Sequence, residues 1–208
     1  MAAYALHYYD RAVYLVEQDD RVFAIWKFLL GQDPESYIRE IPNRVKIGDR
    51  VSVMFPSDQY PAGFIEILRA ECNHGTQGAS GIHDQITKIG AHGWHRIKPR
   101  LRYWLPRIKH WKVIRGSYEL APNIEATWFI DPPYDNPAGR RYRHHDLDYT
   151  QLARWCRSRR GQVIVCENVG ASWLSFQPLG PRRGIHSCYQ VSKAVEAIWT
   201  NKSVDISV

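Results

Sequence analysis

Ala126-Thr127-Trp128-Phe129-Ile130-Asp131-Pro132-Pro133-Tyr134 is the stretch on which the fold turns. Its first five residues are apolar or β-branched and read as a strand that runs straight into a turn. Pro133 forces Pro132 into extended backbone, and neither proline has an N–H, so the turn is stiff and its carbonyls point outward. Open α/β sheets bind their ligands at the carboxyl ends of the strands. The Asp131 carboxylate and the Pro132 carbonyl are therefore expected as a fixed pair of acceptors at the edge of a parallel sheet.

Working outward, helix and strand signals alternate, which favours an α/β layer fold over a helical bundle or an all-β sandwich. Arg11 to Val16 reads as a buried strand closing on Glu17, and Asp20 is placed to cap a helix that runs to Gly31. Ala2 to Tyr9 reads as a short helix, Phe64 to Cys72 as another, and Asn73 to Gly93, rich in glycine, as a loop. Trp111 to Gly116 reads as a strand, Leu147 to Ser158 as a helix, and Gln162 to Asn168 as the next strand. Val191 to Trp199 reads as a late strand or short helix. Residues 1–208 are expected to form a single domain, with residues 50–110 as a basic insertion.

The composition narrows the partners. The 208 residues carry 28 lysines and arginines against 21 acids, a formal charge of +7. A basic domain usually meets a polyanion. From Gln85 to Tyr118 there is no acid until Glu119, while nine bases, among them Lys98, Arg100, Arg102, Arg107 and Lys109, are interleaved with Trp94, Tyr103, Trp104 and Trp111. This reads as a surface whose cations meet DNA phosphates, and Arg140, Arg141 and Arg143 follow the Asp-Pro-Pro-Tyr motif closely enough to join it. The 8 tryptophans and 12 tyrosines suit base stacking, though most are expected in the core. Cys72, Cys156, Cys166 and Cys188 have no C-x-x-C spacing, and no signal peptide or membrane run is evident, so a reduced, cytoplasmic, soluble protein is expected. Cys72-x-His74, His83 and His92-x-x-His95 fit no standard zinc spacing, and no metal is expected. His144 and His145 read as a surface pair.

A turn with two fixed acceptors suits alkylation of an amine on an aromatic ring. Such an amine is a poor nucleophile because its lone pair is delocalised. Acceptors that bind its hydrogens orient it and favour the pyramidal, partly positive nitrogen of the transition state. Tyr134 offers a face on which an extruded base can stack. An isolated Asp-Pro-Pro-Tyr also suits a tight turn with a capping aspartate; the strand in front and the earlier strand ending in Glu17 weigh against that.

The ordered segments E-A-T-W-F-I-D-P-P-Y, D-Y-T-Q-L-A-R-W-C-R-S-R-R-G-Q-V-I-V-C-E-N and E-A-I-W-T-N resemble the adenine-specific DNA methyltransferases of phages and prokaryotes. The similarity extends over nearly the whole chain and is weakest from about 45 to 95. It implies a class I, Rossmann-like, S-adenosylmethionine-dependent fold and methyl transfer to N6 of a flipped adenine in double-stranded DNA, by a monomer. In that frame Asp131, Pro132, Pro133 and Tyr134 form the catalytic motif, and Glu17 binds the cofactor ribose as the acid of a dinucleotide fold does. Ser117 and Tyr118 then lie where the fold contacts the cofactor's adenine, although a plain turn accounts for them equally. Glu167 and Asn168 line the same edge, with helix capping the favoured role for Asn168.

The family pattern opens with a Y-x-G-S-K segment, a strand and a P-F-A-G-S loop, whereas this chain begins Met1-Ala2-Ala3-Tyr4-Ala5-Leu6. The sheet is accordingly expected to lack its first strand. The alternatives are a non-catalytic DNA-binding remnant, an RNA methyltransferase, or a protein-glutamine methyltransferase. Asp131 stands against the last, which typically has Asn at that position.

Overall fold

Six strands sort into two separate sheets in the computed structural model, which describes residues 11–72, 83–137, 139–179 and 196–202. The architecture is α/β: a two-stranded parallel sheet and a mixed sheet of four strands. The sheets fall in two compact units, residues 1–121 and 122–208. The helix expected at Ala2 to Tyr9 lies outside the described residues. No helix among the described residues is long and apolar enough to cross a membrane.

In the first unit, β1 (Tyr14–Glu17) pairs in parallel with β2 (Lys112–Arg115), so that Glu17 stands opposite Arg115. The strand begins at Tyr14, later than the expected Arg11. Helix α1 (Asp20–Leu29) is capped by Asp19 and not by Asp20. The Asp19 side chain accepts the Arg21 and Val22 N–H groups, satisfying two of the donors that the first helical turn leaves unpaired. Asp20 is instead the first helical residue and pairs with Arg115 at 2.7 Å.

Helices α2 (Pro34–Glu40), α3 (Val51–Met54) and α4 (Ala62–Glu71) complete a core with α1. Gly63 makes the crossing of α1 and α4 possible, since a Cβ there would lie 2.0 Å from the Ala24 carbonyl oxygen. Phe28, Tyr37, Phe55, Tyr60 and Phe64 meet there mostly edge-on or tilted, at centroid distances of 5.1 to 6.3 Å, as ring quadrupoles prefer. The same core takes in Ile86, Trp94 and Ile97, so residues 50–110 pack around the hydrophobic residues of 28–45.

The loop expected from Asn73 to Gly93 gives way to helix α5 (Lys88–Gly93), capped by the Thr87 hydroxyl; residues 73–82 lie outside the described set. Gly90 serves close packing there, because a Cβ would fall 2.0 Å from the Cys72 carbonyl oxygen. A turn at Trp94–Arg96 leads into α6 (Ile97–Ile108). Pro106 lies inside α6, where it cannot donate to the Arg102 carbonyl.

In the second unit the strand order is β3 (Ala126–Ile130), β4 (Gly161–Asn168), β6 (Glu196–Thr200), β5 (Gln177–Pro178). β3 and β4 are parallel, in register from Ala126 opposite Gly161 to Ile130 opposite Val165, and the remaining pairings are antiparallel. The Ala126 to Ile130 strand falls where its sequence places it. Helix α7 (Tyr149–Arg157) is capped by Asp148 and buries Leu152, Ala153 and Cys156. Val163, Val165 and Glu167 alternate on the buried face of β4. The late element is a strand at 196–200, and the rest of that expectation, 191–195, is outside the described residues.

Candidate functional site

Asp131 sits one residue beyond β3, at the carboxyl end of the parallel β3–β4 pair. The turn after it is braced from three directions. The Tyr149 hydroxyl, at the first residue of α7, donates to the Pro133 carbonyl at 2.8 Å. The Asp135 N–H donates to Glu167 Oε1 at 2.6 Å, and the Asn136 N–H to the Tyr134 carbonyl at 2.7 Å. Gly139 lies against the motif so closely that a Cβ would fall 1.9 Å from the Tyr134 carbonyl oxygen, and its N–H donates to Asn136 Oδ1. Among the described residues, no hydrogen bond reaches the Pro132 carbonyl.

The electrostatics are those of a crowded acidic edge. Part of Asp131 is open to solvent, yet the protein around the carboxyl displaces enough water to push its pKa up to about 6. Glu196 and Glu167 push in the same direction, and the polar influence of the Tyr134 hydroxyl opposes them. Tyr134 itself is driven well above the ordinary phenol range, first by burial and then by Asp131, so its hydroxyl stays a donor. Burial raises Tyr149 to about 12, with Asp135 and Glu167 adding to it.

Glu17, Ser117 and Tyr118 come together at the carboxyl edge of the other sheet. Glu17 ends β1, and its carbonyl accepts the Gly116 N–H at 2.9 Å where the chain leaves β2. Gly116 has φ +139°, and a Cβ there would meet Leu120 at 2.4 Å. Ser117 and the Tyr118–Leu120 turn follow at once. Glu17 Oε1 accepts the Asp19 N–H at 2.8 Å, which fixes the carboxylate in place.

The cationic residues are distributed less simply than their sequence run. Arg100 pairs with Glu71, Arg102 with Glu35 at 2.8 Å, and Lys98 donates to the Arg39 carbonyl at 2.9 Å. Arg107 donates to the Tyr103 carbonyl and lies over the Tyr103 ring, 3.7 Å from its centroid. Lys109 and Arg96 are exposed with no ion-pair partner among the described residues. Arg140, Arg141 and Arg143 are exposed around a turn at Gly139–Arg141, next to the exposed Tyr142. His144 is exposed, and His145 Nδ1 lies 2.7 Å from the Tyr142 carbonyl oxygen.

Cys72 is buried against the Leu68 carbonyl, and its thiol is pushed up to about 12 by burial first, so it remains protonated. Among the described residues there is no cluster of three His, Cys, Asp or Glu able to hold a metal, and His74 is outside them. Asn168 does not cap a helix: it ends β4, its carbonyl accepts the Ala171 N–H, and Oδ1 is buried without a partner among the described residues. Sequence reasoning missed Tyr149 and Gly139 as supports of the motif. A tyrosine opening the helix after the turn, and a glycine a few residues beyond it, are the signals that were present.

No protein-family model matches the chain, and no curated protein matches it either.

Proposed function

We propose that the chain is a methyltransferase domain of the class I, Rossmann-like plan that acts on the N6 amine of adenine in DNA, with S-adenosylmethionine as methyl donor. The observation that carries this reading is the acceptor pair at the end of β3: an Asp131 carboxylate beside a Pro132 carbonyl that no described residue engages, on a turn held by its neighbours. Two fixed acceptors orient the amine hydrogens and favour a pyramidal nitrogen. Tyr134 and the exposed Tyr142 supply faces for a base outside its stack. Above about pH 6 the Asp131 carboxylate is ionised and accepts amine hydrogens; below it the protonated acid competes as a donor.

The carboxyl edge of β1–β2 fits the methyl donor. A carboxylate at Glu17, held by the Asp19 N–H, matches the hydroxyl pair of a ribose, and the backbone bend at Gly116 brings Ser117 and Tyr118 beside it. When bound, S-adenosylmethionine supplies an electrophilic methyl group on a cationic sulfur. Exposed Lys109, Arg140, Arg141 and Arg143 supply the cations for phosphates, joined by Arg96.

Calorimetry with S-adenosylmethionine, alongside the Glu17→Ala variant, tests the cofactor half. The expected result is binding that drops at least tenfold in the variant, followed by methyl transfer to adenine-containing duplex DNA. Salt-dependent DNA binding by a folded chain that takes no cofactor would overturn the reading in favour of a non-catalytic DNA-binding domain.

A further inference from the structure

Glu167 is the one acid in the second unit whose side chain is wholly buried, at 0% exposure among the described residues, and the turn chemistry does not use it. A buried carboxylate is costly unless its oxygens are filled, and here they are filled by backbone. Oε1 accepts the Asp135 N–H at 2.6 Å and a long bond from Trp173 Nε1 at 3.5 Å, while Oε2 accepts the Asn168 N–H at 2.8 Å. One donor belongs to the residue directly after Asp-Pro-Pro-Tyr, and another closes the strand parallel to β3. Trp173 in turn packs on Tyr149, at 5.4 Å between centroids, and Tyr149 holds the Pro133 carbonyl.

We propose that Glu167 is the positioning residue of the site, a two-oxygen clamp that ties the Asp131–Tyr134 turn to the end of β4 and so sets where the Asp131 carboxylate and Pro132 carbonyl stand. This rests on the reading of the site given above. The requirement for two acceptors explains a carboxylate here in place of an amide of the same shape. Glutamine offers one acceptor and one donor, so either the Asp135 or the Asn168 N–H would face another N–H. The turn would then shift by a fraction of an ångström to relieve the clash, and misplacement on that scale costs about 10²-fold in rate.

The test is Glu167→Gln in the full chain, read by steady-state kinetics and by amide hydrogen exchange. The expected result is turnover per folded molecule lower by about 10²-fold, with KM for S-adenosylmethionine and DNA affinity within twofold of the parent. Exchange of the Asp135 amide should accelerate at least tenfold, while the Val163 and Val165 amides in the middle of β4 keep their protection. Activity that falls only in step with the folded fraction, with Asp135 exchange unchanged, overturns the clamp. If Glu167→Gln does not fold, Glu167→Asp keeps the charge but retracts the oxygens by one methylene, and the same two readouts apply. A parent protein that transfers no methyl group would defeat the proposed function and not the clamp, which the exchange measurement decides alone.

Discussion

The Asp-Pro-Pro-Tyr turn and helix α6 both stand out in the sequence, but they hold up differently in three dimensions. At the turn, partners far along the chain reinforce the motif: Glu167 is 32 residues from Asp135, and Tyr149 is 16 residues from Pro133. On α6, partners far along the chain engage the cations instead: Glu71 pairs with Arg100 across 29 residues and Glu35 with Arg102 across 67. A short motif at a strand end acquires its geometry from the sheet. A run of like charges is thinned by whatever acids the fold brings beside it, and exposed pairs of this kind contribute little stability while still occupying the cations.

The largest expected effect is at the turn. Asp131→Ala should lower methyl transfer by about 10³-fold or more while leaving DNA affinity within twofold, measured by labelled-methyl incorporation and filter binding. Surviving activity would remove the turn's advantage over α6. In the parent, the rate should rise with pH through about 6 as the carboxyl ionises. Stability has the opposite sign: between the ordinary value of 3.8 and about 6 the native state holds more protons than the unfolded one, so the Asp131 contribution falls as pH increases. Asp131→Asn should flatten that slope in melts run from pH 4 to 8, and an unchanged slope would disprove the assignment.

Next in size is Gly139→Ala. Its Cβ has no room beside the Tyr134 carbonyl, so stability should drop by about 2 to 3 kcal/mol, seen as a lower urea midpoint at constant m-value. Activity should fall further than the folded fraction. The smallest effects separate Lys109, just beyond the end of α6, from the paired Arg102 within it. Lys109→Ala should reduce the salt slope of DNA binding by about one, whereas Arg102→Ala, whose partner is Glu35, should leave the slope nearly unchanged. Equal slopes for the two variants would mean that the ion pairs open on DNA, and the contrast drawn above would vanish.

Much of the fold was legible because its signals are local. The Ala126 to Ile130 strand, the helix after Asp148 and the strand ending in Glu17 depend on side-chain periodicity and turn chemistry within a few residues. Local signals also misled. Asp20 looks as good a cap as Asp19, and the choice depends on which residue leaves β1 in extended backbone. The glycines at 90 and 93 suggested a loop, but Gly90 is there because the Cys72 carbonyl leaves no space for a side chain.

The sequence by itself determined the alternation of elements, the stiff turn with its two acceptors and the acid at the end of β1, since each follows from neighbouring residues and covalent geometry. Only the tertiary structure decided which arginines are paired, that Glu167 rather than Asn168 serves the turn, and that Gly139 and Tyr149 support it. Those outcomes depend on which distant segments the fold brings within hydrogen-bonding reach, on the surface for the arginines and, at Glu167, in a buried place where an unfilled partner is costly, and no local pattern encodes which segments will meet.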